Sequence, residues 1–151
     1  MASKLETQIP INAPAEKLYE IFCSNTHHIA NMCPKIVQSV GIHEGEWGIE
    51  GSIIVWKCLV DGKPMEAKEV VETIDKENNS ITFKVLEGHI LQIYKSFKFI
   101  VQVSPKENGS ILNWTMEYEK LHYQVPDPHS LIKAATVMVK DIDANLIQAN
   151  M

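Results

Sequence analysis

The clearest pattern in the chain is an alternation of apolar and polar positions between residues 111 and 120. Leu112, Trp114, Met116 and Tyr118 fall on one parity, and mostly polar residues occupy the other. Because successive side chains of a strand point to opposite faces, this alternation predicts a strand with one buried and one solvated face.

Six other segments have the length and composition of strands, and short polar turns separate most of them. Asp61-Gly62 is a strong two-residue hairpin signal, and Asn108-Gly109 lies in a second turn. Strands joined by hairpin-length turns form one antiparallel sheet. The further predicted strands are residues 4–11, 36–43, 53–59, 65–74, 81–87 and 90–103, with the last counted as one long strand or two.

Helical spacing of apolar residues occurs at two places. After the first strand, Pro14 suits a first helical turn and a short helix runs to about Cys23; a second covers residues 26–33, and Pro34 ends it. Near the end of the chain, Asp127 can cap a long helix with Pro128 at its first position. The apolar stripe of this helix comprises Leu131, Ala135, Met138, Val139, Ile142 and Leu146, whereas Lys133, Lys140 and Asp143 lie outside it.

These elements predict an α+β fold in a single domain spanning residues 1–151. A curved seven-stranded antiparallel sheet would wrap the long C-terminal helix, with two short helices after strand 1. Such an arrangement is a common way to enclose a ligand site, but the same pattern fits a fully packed core. Periodicity shows which face is buried and leaves open whether the space inside is filled.

Composition and charge exclude several classes of function. The formal net charge of −5 and the absence of a basic cluster argue against nucleic-acid binding. No apolar run is long enough to span a bilayer and no signal peptide is recognisable, so we expect a cytoplasmic protein without membrane insertion. The three cysteines, Cys23, Cys33 and Cys58, have no metal-site spacing and are expected to be reduced. Neither a metal nor a cofactor is expected.

Three glycines, Gly45, Gly48 and Gly51, lie within seven residues between two predicted strands. Phosphate-binding glycine loops lead into a helix N-terminus, and this loop instead joins strands and carries Glu44, Glu46 and Glu50. A tight loop at the rim of a pocket is therefore the favoured interpretation.

Several segments of the chain resemble the major latex protein branch of the Bet v 1-like superfamily. They are residues 44–52, 60–63, 81–88, 114–120 and 140–142, and their order and spacing agree across essentially the whole chain. The resemblance implies a plant protein with seven strands and three helices around a large pocket. It also implies binding of apolar metabolites such as steroids, long-chain lipids, phenolics or terpenoids, with roles in defence or specialised metabolism.

The resemblance and the strand parities together give a set of expected ligand contacts. A small hydrophobic ligand is the expected partner, and no obligate protein partner is expected. The expected contacts are Phe22, His28, Trp56, Cys58, Phe83, Phe97, Phe99, Trp114, Met116, Tyr118, Leu131, Ala135, Met138 and Ile142.

Whether the cavity is catalytic stays open at this stage. Some superfamily members are enzymes, so a cyclase, lyase or isomerase acting on a reactive terpenoid or alkaloid intermediate is the alternative to a binding protein. A third hypothesis is a partner-binding protein whose ligand switches its surface. Lys57 points away from Trp56 and Cys58 by parity, which weakens a Schiff-base mechanism. The acid–base candidates are His27, His28, His43, His89, His122, His129, Tyr19, Tyr94 and Tyr118.

Overall fold

The computed structural model describes residues 2–149, and its centre is a seven-stranded antiparallel sheet. The order of the strands is β1-β7-β6-β5-β4-β3-β2, so each strand after β2 lies beside its predecessor, and β1 pairs with β7. The seven predicted strands and the fold class are confirmed. The strands are β1 Ala2–Ile11, β2 Val37–Glu44, β3 Ile53–Val60, β4 Lys63–Asp75, β5 Ser80–Gly88, β6 Tyr94–Lys106 and β7 Gly109–Lys120.

Irregularities in the strand pairing allow the sheet to curve. The ladder between β4 and β5 shifts register twice, between Lys68 and Glu69 and again between Val71 and Thr73. The ladders between β2 and β3 and between β6 and β7 are also interrupted. Because an extra residue on one strand bends it and increases the local twist, these bulges curve the sheet around its inner face.

The prediction of a strand from residue 90 was wrong at its start. Residues His89–Gln92 form a 3-10 helix, and β6 begins only at Tyr94. Gly88 has a φ of 138°, and a side chain there would collide with the backbone of Glu66 and Ala67. Glycine therefore allows the backbone of residue 88 to lie against β4 just before the chain enters the 3-10 helix. Ile90 is buried in the turn, and a short apolar run of this kind cannot be told from a strand by periodicity alone.

The helices are α1 Ala15–Cys23, α2 Ile29–Met32 and α3 His129–Ala149, with a 3-10 turn at Thr26–His28 before α2. Pro14 precedes α1 instead of occupying its first turn. The predicted cap of α3 was also wrong, because the carboxylate of Asp127 accepts a hydrogen bond from the Tyr118 hydroxyl at 2.6 Å and pairs with Lys120 at 3.1 Å. The carbonyl of Pro128 accepts the first amide hydrogen bonds of the helix. Within residues 2–149, no helix is both long and apolar enough to cross a bilayer.

Asp143 on α3 is the main departure from the predicted helix pattern. Although the apolar stripe places it on the outer face, its side chain is only 6% exposed. Its carboxylate oxygens accept hydrogen bonds from the backbone N–H groups of Asn12 at 3.0 Å and Ala13 at 2.9 Å. These donors lie where β1 ends and α1 is about to begin, so the carboxylate satisfies amides that lack a partner in regular structure.

Replacing this carboxylate should destabilise the protein. In Asp143→Ala, two backbone donors lose their charged acceptor, and we expect the free energy of unfolding to fall by about 2–4 kcal/mol. Urea denaturation followed by circular dichroism measures the change. Lys140→Ala, an exposed substitution on the same helix, should change it by less than about 0.5 kcal/mol. Equal stabilities for Asp143→Ala and the wild type would contradict the anchoring role.

Candidate ligand cavity

An apolar cavity lies between the inner face of the sheet and the N-terminal half of α3. The cavity has a volume of about 110 Å³. Strands β3, β4 and β5 provide most of one wall, and α3 covers them. The lining residues are Phe22, Ile36, Trp56, Cys58, Val60, Met65, Ala67, Glu69, Phe83, Ile90, Phe99, Trp114, Leu131, Ala134, Ala135 and Met138.

Most of the ligand contacts expected from the sequence border this cavity. On the sheet, strand parity alone places them on the inner face, and on α3 the apolar stripe turns them towards the sheet. The expected residues that line the cavity are Phe22, Trp56, Cys58, Phe83, Phe99, Trp114, Leu131, Ala135 and Met138.

The other expected contacts lie elsewhere. His28 is exposed on the 3-10 turn, where its ring meets the edge of the His27 ring. The rings of Phe97 and Tyr118 stack on each other, with their centroids 5.5 Å apart. Met116 and Ile142 are fully buried in the core cluster and are absent from the cavity lining. Strand parity correctly assigns Phe97, Met116 and Tyr118 to the interior, and the helix stripe does the same for Ile142. Neither pattern distinguishes packed positions from those that border empty space.

The lining includes residues that the sequence analysis missed, and Glu69 is the most important of them. The Asp61-Gly62 turn pairs residues equidistant from it, so Cys58 lies opposite Met65, Trp56 opposite Ala67 and Ile54 opposite Glu69. Counting outward from the hairpin would have placed Glu69 on the inner face. The other missed lining residues are Ile36, Val60, Met65, Ala67, Ile90 and Ala134.

The Glu69 carboxyl is buried without a charged partner. Its side chain is 5% exposed, and within residues 2–149 no cation lies within ion-pair distance of it. Burial raises the pKa of this carboxyl from 4.5 to about 8, and the neighbouring Trp56 indole opposes the shift. The carboxyl is therefore mainly protonated at neutral pH.

Two indole N–H groups in the cavity wall also lack well-formed hydrogen bonds. Nε1 of Trp114 is buried and has no acceptor among residues 2–149. Nε1 of Trp56 is buried too and meets no acceptor there at good hydrogen-bond geometry, although the Glu69 carboxyl lies close enough to interact with it. The two indole rings meet other aromatic rings edge-on. The ring centroids are 6.4 Å apart for Trp56 and Phe83 and 5.7 Å apart for Trp114 and Phe99. The wall thus combines aromatic surface with a small number of unpaired polar atoms, as ligand sites commonly do.

The tyrosines proposed as acid–base groups use their hydroxyls for structural hydrogen bonds. Tyr19 donates to the carbonyl of Ser80 at 2.9 Å, and Tyr94 donates to the carbonyl of Pro126 at 2.6 Å. Tyr118 donates to Asp127, as described above. Burial is the main cause that raises the pKa values of all three hydroxyls, and none of them lines the cavity.

The proposed histidines are likewise outside the cavity lining. His27 stacks on Trp47 at 4.7 Å, and burial lowers its pKa. Nδ1 of His89 accepts a hydrogen bond from the Glu66 amide at 3.0 Å, while His28, His43, His122 and His129 are exposed. Lys57 is exposed too, on the outer face of β3. Within residues 2–149, no cluster of histidine, cysteine and carboxylate side chains could hold a metal ion.

The glycine loop between β2 and β3 packs on itself and does not line the cavity. The Ser52 hydroxyl donates to the Glu46 carbonyl at 2.7 Å and accepts from the Glu46 amide at 3.0 Å. Gly45 has a φ of 92°, and a side chain there would collide with Ser52. Position 45 therefore requires glycine, because Ser52 approaches it too closely for a side chain.

Comparisons with known proteins show which family shares this architecture. Residues 1–149 match the sequence model of the pathogenesis-related protein Bet v 1 family. MLP-like protein 43 of Arabidopsis thaliana is 42% identical over 149 residues, which cover 97% of this chain and 94% of the relative. The crystal structure of major latex-like protein 151 from Panax ginseng superposes with a TM-score of 0.93 at 37% identity and covers 96% of this chain and 97% of the ginseng chain. The chain belongs to the major latex protein branch of the Bet v 1 family.

More distant members of the fold extend the comparison. A point mutant of norcoclaurine synthase from Thalictrum, solved with a transition-state analogue, superposes on this major latex protein with a TM-score of 0.76. The two sequences are 16% identical, with 100% of this chain and 98% of the synthase chain covered, so this likeness shows the shared fold alone. The present chain also spans only 46% of MLP-like protein 34, which is 42% identical.

The raised pKa of Glu69 predicts a pH-dependent stability. Between pH 4.5 and pH 8 the folded protein retains a proton on Glu69 that the unfolded chain has lost, so this residue's contribution to stability decreases as pH rises. Relative to Glu69→Gln, we expect the wild-type free energy of unfolding to fall by about 2–4 kcal/mol from pH 5 to pH 9. Urea denaturation of both proteins at each pH gives the difference. Parallel stability curves would show that Glu69 titrates normally.

Proposed function

We propose that this major latex protein binds a small hydrophobic plant metabolite in the cavity between the sheet and α3. The observation that carries the proposal is an aromatic-lined void in a protein interior. Interiors are ordinarily packed as densely as organic crystals, and an apolar void forfeits contacts between its walls. A bound apolar molecule would restore those contacts.

The ligand classes consistent with this wall are steroid, lipid, phenolic and terpenoid. Aromatic and aliphatic side chains can contact the hydrocarbon frame of any of these classes, and Met65 and Met138 can adapt their shape to the ligand present. We place the function in the cytoplasm, in defence or specialised metabolism. Neither nucleic acid, membrane insertion nor an obligate protein partner belongs to the proposal.

Native mass spectrometry of protein taken directly from its source tissue tests the proposal. We expect a stoichiometric mass increment that disappears after extraction with organic solvent and is recovered as a small apolar compound in the extract. Protein that is empty as isolated, and that also fails to bind apolar probes, would overturn the proposal.

A second candidate function, isomerisation of a bound hydrophobic substrate, is favoured by Glu69. A carboxyl whose pKa lies near neutrality has both its protonated and ionised forms available, which suits general acid–base catalysis. The ionised carboxylate would take a proton from one carbon and return it to another, so the double bond moves and nothing else is consumed.

Conversion of 3-cyclohexen-1-one to its conjugated isomer, followed by ultraviolet absorbance, tests this second function. We expect the protein to accelerate the reaction and Glu69→Leu to remove the acceleration. Identical rates with and without protein would count against the isomerase function and leave the binding function standing.

Filling the cavity should weaken binding without affecting the outer surface. Ala135 is 4% exposed and borders the void, so the indole of Ala135→Trp would occupy the ligand's space. We expect its affinity for the neutral fluorescent probe N-phenyl-1-naphthylamine to fall at least about tenfold, measured by the increase of probe fluorescence on binding.

Ala144→Trp is the matched control, since Ala144 lies on the exposed face of the same helix. Its affinity for the probe should equal that of the wild type. If both variants bind the probe as tightly as the wild type, the probe does not occupy this cavity.

A further inference from the structure

The polar atoms of the cavity wall are unequally divided between donors and acceptors. Among residues 2–149, the indole N–H of Trp114 has no acceptor and that of Trp56 has none at good hydrogen-bond geometry. The Glu69 carboxyl has no ion-pair partner in the same part of the chain. In its protonated form, this carboxyl adds a third donor, its O–H. A buried donor without an acceptor carries a desolvation penalty, so the wall is complementary to a ligand that brings an acceptor.

We propose that the cavity selects an apolar ligand carrying one neutral oxygen acceptor, a ketone-type carbonyl, which receives a hydrogen bond from the Glu69 carboxyl. The proposal rests on the binding function proposed above and names the chemistry of its ligand. The apolar wall holds the hydrocarbon frame, and the Glu69 carboxyl fixes its orientation.

Charge argues against the two other polar ligand classes. A carboxylate ligand would meet no lysine, arginine or histidine in the lining and would lie beside the Glu69 carboxyl. An amine could take the proton of Glu69 and form an ion pair, but it would leave the Trp114 indole donor without an acceptor. A carbonyl oxygen has two lone pairs and can accept from Glu69 and from an indole together.

The surroundings of Glu69 contain little else that can titrate. Ile54 on β3 and Val85 on β5 lie opposite it in the two ladders, and the lining residues of α3 are all apolar. Cys58 is the other ionisable side chain in the lining, and burial raises its thiol pKa to about 12, with the charge of Glu69 adding to the shift. Between pH 6 and pH 9.5, Glu69 is therefore the cavity group that changes charge.

Four naphthalenes that differ only in the substituent at position 2 provide the test, with affinities measured by isothermal titration calorimetry. At pH 6.5 we expect 2-acetylnaphthalene to bind about tenfold more tightly than 2-ethylnaphthalene, since one buried donor gains its acceptor. We expect 1-(2-naphthyl)ethylamine to bind less tightly than the ketone, and 2-naphthoate to bind least. At pH 9.5 the preference for the ketone over 2-ethylnaphthalene should largely disappear, because ionised Glu69 no longer donates.

Variants at Glu69 separate the hydrogen bond from the shape of the cavity. Glu69→Leu should remove the ketone preference and Glu69→Gln should restore most of it, because the amide N–H donates in place of the carboxyl O–H. In Glu69→Gln, the preference should also be the same at pH 6.5 and pH 9.5. Glu66→Gln, an exposed residue of the same strand, is the matched control and should behave as the wild type.

The possible failures are distinguishable. Equal affinities for the ketone and 2-ethylnaphthalene, or tightest binding by the amine or the carboxylate, would overturn the carbonyl proposal and leave the binding function intact. If none of the four naphthalenes binds the wild type, the binding function fails and the carbonyl proposal fails with it. The pH comparison uses the wild type, so the test holds even if a Glu69 variant does not fold.

Discussion

The position of α3 over the sheet is the constraint on which the cavity depends, and polar contacts near both ends of the helix set it. In its C-terminal half, the Asp143 carboxylate accepts hydrogen bonds from the backbone where β1 ends. Just before its first residue, the Asp127 carboxylate accepts a hydrogen bond from the Tyr118 hydroxyl, and the Pro126 carbonyl accepts one from the Tyr94 hydroxyl. These hydrogen bonds fix the position of the helix at two separate points along its length. Between them, Leu131, Ala135 and Met138 face a space that the sheet side chains do not fill.

Glu69 lies in the wall opposite this helix, in a setting that opposes its charge. A carboxyl on an inner strand face, without a cation, disfavours the folded state at neutral pH compared with an uncharged residue of the same shape. It also follows directly after a register shift in the β4–β5 ladder, and such bulges often re-aim side chains beside functional sites. Stability alone therefore gives no reason for a glutamate at this position.

Sequence patterns predicted the fold well because they depend on local physics. Alternation in β7 and the stripe on α3 report directly which faces are buried, and the Asp61-Gly62 hairpin fixes a register. The family resemblance added the expectation of a pocket. What patterns could not supply was the distinction between Phe99, which borders the void, and Phe97, two residues away and packed against Tyr118. That distinction depends on how distant side chains fill space in three dimensions.

Two of the misplaced polar residues share one cause. The sequence predictions for Asp143 and Asp127 depend on their position along a single helix, but their hydrogen-bond partners come from the segment that follows β1 and from β7. Glu69 differs, because the register of the Asp61-Gly62 hairpin is enough to place it on the inner face.

The hydrogen bonds that position α3 are made by residues that do not line the cavity. Asp143, Asp127, Tyr118 and Tyr94 hold the helix, whereas Leu131, Ala134, Ala135 and Met138 face the void. This division separates the residues that maintain the architecture from those that shape its interior. Cavity-facing positions can therefore diversify during evolution while the scaffold persists, and a lineage can acquire new ligand preferences without first rebuilding its fold.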